Sequence, residues 1–205
     1  MAMLETNVSG LKHSRSVLLR VIEGLSDEQL DFLVFPDSKS VGEILLHIAG
    51  FEFLMISAAG LAIGNEPDFS MWHKLKSGFS REARFTAPRG YGLDHYLEIL
   101  AEVRERTFSY FGAQTQRRLV AKSTFPLVPL ARLLWSNDPE AGAQGYEKLA
   151  TGLGSSFSDD GAMNNAGETD LIDLLQLHET YHRGHITLLK YIYARLNDGS
   201  VFGSH

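Results

Sequence analysis

The residues best suited to chemistry stand together near the C-terminus, in the run Leu174-Leu-Gln-Leu-His178-Glu-Thr-Tyr-His182-Arg-Gly-His185-Ile186. At about 100° per helical residue, His178, His182 and His185 share a sector roughly 60° wide. Leu171, Leu174, Leu175, Leu189 and Ile192 occupy or border that sector, so the three imidazoles are expected to face a core. A desolvated ring nitrogen left unpaired costs about 1–3 kcal/mol, and one divalent metal would satisfy several at once. Two histidines at i and i+4 can reach the same ion because their side chains lie one turn apart. A third ligand from another helix would complete the set and leave positions open for water or substrate. His47 is the candidate, since it sits inside the apolar arc of Ile44, Ile48, Phe51, Leu54, Met55 and Ala58. A lone core histidine is usually just hydrogen-bonded to a neighbour. Inward-directed histidines on two separate helices favour the metal. His13, His73 and His95 are expected at the surface, and His205 is the chain end.

Several elements must position these groups. Residues 5–23 form an amphipathic pattern, with Leu4, Val8, Leu11, Leu18 and Ile22 near one face. Ser26 to Gln29 reads as a capping box opening a short helical turn, which Pro36 and Asp37 end. Ser40 to Glu43 is a second capping box and starts the helix that carries His47. Residues 64–92 read as a long crossover with a helical turn around Ser70–Lys76. The next helix is expected over Asp94 to Phe111, and a final long one over about 170–197, ended by Asn197-Asp-Gly199. Between them, residues 113–167 are irregular and proline- and glycine-rich, a length that marks an insertion or a functional loop. No segment alternates like a strand for more than a few residues. The expected fold is one all-α domain over residues 1–205, a four-helix bundle with long crossover connections.

Composition narrows the function. The chain has 205 residues, 44% hydrophobic, with a net charge of −6. Its basic residues are scattered, and the basic patch of a nucleic-acid binder is missing. With no cysteine, disulfides, thiolate ligands and a cysteine nucleophile are excluded. The N-terminus lacks the basic start and apolar run of a signal peptide. The most apolar stretch, Val41 to Ile63, is interrupted by Glu43, His47 and Glu52 and reads as a core helix. A soluble, cytoplasmic protein with no membrane association is expected.

Two familiar metal patterns fit poorly. His178-Glu179-x-x-His182 matches the zinc-protease signature, in which the glutamate is general base. That reading needs an edge strand and a downstream ligand, and neither is present. Glu179 lies about 100° from His178 and is expected on the flank of the bundle, paired with a basic residue. A di-iron centre needs a second Glu-x-x-His, which the chain lacks. Glu43 is explained by its capping position. Trp72, Trp135, Tyr146 and Phe157 fall in the long connections, where they either line an entrance or cover the core. The second is the simpler role.

Taken in order, the motifs resemble the DinB-like superfamily of helical bundles related to thiol-dependent transferases. Gly24-Leu-Ser-Asp-Glu-Gln-Leu30 followed by Ser40-Val-Gly-Glu-Ile-Leu-Leu-His47-Ile-Ala49 and Glu52 is similar to the stretch leading to that family's helix-2 histidine. His178-Glu-Thr-Tyr-His182-Arg-Gly-His185 is similar to its closing motif, with His185 in place of a glutamine. Together these blocks cover about half the chain. The resemblance implies metal ligation by His47, His178 and His182, with zinc or nickel as occupants suited to imidazole. His185 then stands as a fourth ligand, an outer hydrogen-bond partner or a proton shuttle. The implied activity is a thiol-dependent S-transferase or isomerase acting on a small electrophile. The thiol must be a low-molecular-weight cosubstrate, because the chain has no cysteine of its own. His185 and Tyr181 are placed by sequence to assist proton transfer. A metal-hydroxide hydrolase and a stress-linked metal- or small-molecule-binding bundle without turnover are the alternatives. A homodimer is also expected.

Overall fold

The computed structural model describes residues 2–61, 64–79, 86–116 and 168–197. Every regular element among them is helical, and no strand occurs among the described residues. Helix α1 runs Ala2–Ile22, α2 Asp27–Asp31, α3 Val41–Leu61, α4 Phe69–Leu75, α5 Leu93–Gln116 and α6 Glu168–Asn197. A 3-10 turn, Lys76–Phe79, continues α4. The all-α class expected from sequence holds. The irregular stretch expected over 113–167 lies largely outside the described residues, apart from the end of α5.

Local chemistry sets the boundaries. Gly24, at φ 71°, takes the left-handed conformation that ends α1. Ser26 and Gln29 form the reciprocal capping box of α2. At the start of α3 the Glu43 backbone N–H donates to the Ser40 hydroxyl at 3.2 Å, and the Glu43 carboxylate accepts from the Ser40 N–H at 3.3 Å. Glu43 is therefore a cap, as its position suggested. Asp68 caps α4 by accepting from the Ser70 and Met71 N–H groups.

α3 is the central element. Its residues Ile44, Leu45, Leu46, Ile48, Leu54 and Met55 are almost wholly buried, and α1, α5, α6 and the 3-10 turn gather around it or each other. It is also the one helix among the described residues long and apolar enough to cross a membrane, and 89% of its apolar window is buried within the protein. That burial fits a soluble protein. Trp72 is fully buried, so it covers the core instead of lining an entrance. Trp135, Tyr146 and Phe157 lie outside the described residues.

The 3-10 turn lies directly on the backbone of α3. A Cβ on Gly78 would sit 2.5 Å from the backbone nitrogen of His47, so only glycine permits this approach. Phe79 follows and packs its ring against both Gly50 and His47.

Candidate metal centre

α3 presents His47 toward α6, and α6 returns His178 and His182 from successive turns. Each offers a ring nitrogen, and these nitrogens lie within 4.8 Å of one another. Ligand bonds of about 2.1 Å span at most about 4.2 Å between two nitrogens, so a small ring rotation would close the set on one ion. The ring centroids are 5.2 Å apart for His47–His178, 4.8 Å for His47–His182 and 4.5 Å for His178–His182.

The surroundings fix the rings. Phe51 stacks on His178 with centroids 3.7 Å apart and planes 14° off parallel. Phe79 lies 4.9 Å from His47. The Lys39 ammonium stands 3.4 Å from His47 Nδ1 and donates to the Gly78 carbonyl at 3.3 Å, and that carbonyl also bonds the His47 ring. Sequence reasoning had missed Lys39, which lies just outside α3 and carries no periodic signal.

Burial, followed by nearby positive charge, keeps all three imidazoles neutral. His47 is held well below the ordinary histidine range by desolvation, then by Lys39. Desolvation lowers His178 to about 2 and His182 to about 4, with neighbouring imidazoles and Lys39 adding to it. Neutral imidazole is the ligating form, so no proton has to leave before a metal binds. His182 Nδ1 is buried and has no hydrogen-bond partner. An orphaned ring nitrogen in a cluster of three neutral imidazoles fits a divalent cation.

His185 departs from expectation. It is exposed, with its ring 5.4 Å from that of His182 and 4.3 Å from that of Tyr181. The middle of the buried face of α6 runs through Leu175 and Ile186, and His185 lies about 90° from it. His185 is thus at the rim and outside the three-nitrogen group. Tyr181 is also exposed, and its ring is 5.1 Å from that of His182. His13 and His73 are on the surface as expected, whereas His95 is half-buried and stacks on Tyr91 at 4.2 Å. His205 lies outside the described residues.

Glu179 is the second correction. It was expected on the flank and is instead 2% exposed in the core, about 30° from the middle of the buried face of α6. The expected basic partner is present twice over. The Glu179 carboxylate accepts from Arg15 of α1 at 3.0 Å and Arg104 of α5 at 2.6 Å, and the same two guanidinium groups hold Glu52 of α3 at 2.9 and 2.7 Å. Arg15 also donates to the Leu100 carbonyl and Arg104 to that of Leu11. Burial pushes the Glu52 carboxyl up, but the two arginines outweigh it and keep it ionised. Each long helix thus supplies one charge, and the two arginines bolt α3 to α6 beside the histidines. A glutamate committed in this way cannot act as the general base of a protease.

Compared with known proteins, the chain matches no family model, no curated protein and no solved structure.

Proposed function

We propose that this protein is a metal-dependent helical bundle of the DinB-like kind, in which His47, His178 and His182 hold one zinc or nickel ion for a thiol-dependent S-transferase or isomerase reaction. The observation that carries the reading is the convergence of three neutral imidazoles from α3 and α6, one of them with an orphaned buried nitrogen. The order of the four long helices and the two sequence blocks around them support the bundle assignment.

When bound, such an ion keeps its full charge and stabilises a thiolate at neutral pH. The chain's own residues supply the rest. Phe51 and Phe79 wall the inner side of the histidines and keep it dry. Lys39 adds a positive charge near the site, which favours an anionic sulfur over a neutral one. His185 at the rim, with the Tyr181 ring packed against it, is the group we assign to take the proton that the thiol gives up. The sulfur then bonds to the electrophilic carbon, and the leaving group departs with its electron pair.

Metal content tests the site directly, in protein purified without a metal-affinity column. Wild type is expected to carry about one divalent ion per chain, and His47→Ala and His178→Ala to lose it. Equal metal in all three proteins sinks the ligand assignment. Turnover of a halogenated nitrobenzene that depends on both metal and added thiol supports the transferase. Metal-dependent ester cleavage without thiol would support hydrolysis instead.

A further inference from the structure

Two buried side-chain atoms of α6 lack a hydrogen-bond partner among the described residues: His182 Nδ1 and Glu179 Oε1. Their residues stand three apart and about 60° from each other around the helix axis, a spacing at which side chains of successive turns are neighbours. One atom is a ring nitrogen and the other an acceptor without a donor. The rest of the Glu179 carboxylate is committed, since Oε2 accepts from Arg15 at 3.0 Å and from Arg104 at 2.6 Å. Two guanidinium groups on that oxygen hold the carboxylate in place and leave Oε1 for a third donor.

His47 already has an outer partner of this kind. Its ring bonds the Gly78 carbonyl, which leaves its other nitrogen for an ion. A neutral imidazole carries one proton and one lone pair, so an ion on one nitrogen puts the proton on the other. For His182, an ion on Nε2 leaves Nδ1–H to donate, and Glu179 Oε1 is there to accept. Both unpartnered atoms are then satisfied. An ion on Nδ1 would leave Oε1 still without a donor. Resting on the three-histidine reading, we infer that Glu179 is a positioning residue of the metal centre. It takes the Nδ1 proton of His182, directly or through one water, and so aims Nε2 at the ion. A carboxylate behind a ligating histidine fixes its tautomer and raises its basicity. Glu179 thereby ties the ion to all four long helices, to α3 and α6 through the ligands and to α1 and α5 through Arg15 and Arg104.

Zinc titration against a competing chelator tests this in two variants that each remove one carboxylate from the same network. In Glu179→Gln the arginines claim the amide oxygen and turn the amide N–H groups toward Nδ1–H, donor against donor. Zinc affinity is expected to fall about 10–100-fold. Both oxygens of Glu52 are already occupied by arginine, so Glu52→Gln should bind zinc as wild type does. Any loss that comes only from a weakened network would appear in both variants. Imidazole nitrogen–proton correlation spectra of zinc-loaded wild type should place the His182 proton on Nδ1, a measurement that needs no variant to fold. Equal zinc affinity in the two glutamine variants, or zinc on Nδ1 of His182, overturns the proposal and leaves the three ligands standing. A wild type that binds no zinc overturns the ligand assignment and this proposal with it.

Discussion

His182 is the residue on which the site's electrostatics turn. Its imidazole is buried beside two others, and desolvation lowers its pKa from 6.5 to about 4. Below pH 6.5 the unfolded chain binds a proton on this ring that the native protein refuses, so the sign is fixed: metal-free stability falls as pH falls from 6.5 toward 4. His178, lowered to about 2, and His47 act in the same direction over that range. Each ring kept neutral costs about 1.4 kcal/mol per pH unit below the unfolded value. Thermal melts of metal-free protein should therefore drop steeply between pH 6.5 and 4, and the drop should be shallower in His182→Gln. Identical slopes in the two proteins would mean that this ring titrates normally.

The element scale belongs to the Arg15–Glu52–Arg104–Glu179 network, because it sets where α6 lies against α3. Two guanidinium groups bridge two carboxylates with all four side chains nearly excluded from water. Arg104→Met leaves two buried carboxylates facing a single arginine, a change expected to cost about 3–5 kcal/mol. Adding Glu179→Gln restores one positive to one negative charge and should recover part of the loss. Denaturant unfolding of the single and double variants measures both, and a cost below about 1 kcal/mol for the single variant would place the network among weak surface pairs. The network also shows where sequence reading stops. Helix positions were legible because apolar spacing and capping boxes are local, and the histidines were legible because imidazoles are conspicuous on apolar arcs. Glu52 and Glu179 sit on such arcs too. What they mean depends on Arg15 and Arg104 from two other helices, and no spacing within one helix encodes that pairing. His185 was misplaced for a related reason: a 60° sector shows which residues share a face, and packing decides which edge of it is buried.

For the molecule as a whole, the histidines join α3, in the first third of the chain, to α6 near its end. An ion held by both helices exists only when the fold is closed, so metal binding and folding are linked. A ligand at about 100 times its dissociation constant adds about 2.7 kcal/mol to stability. In a chain of this size each kcal/mol moves the melting temperature by about 2–4 °C. Saturating zinc or nickel should therefore raise the wild-type melting temperature by about 5–11 °C and leave His178→Ala close to its metal-free value. His73 and His13 remain exposed in both proteins, which makes the comparison informative. An equal rise in the variant would show the ion binding at surface histidines, and the link between α3 and α6 would then owe nothing to a metal.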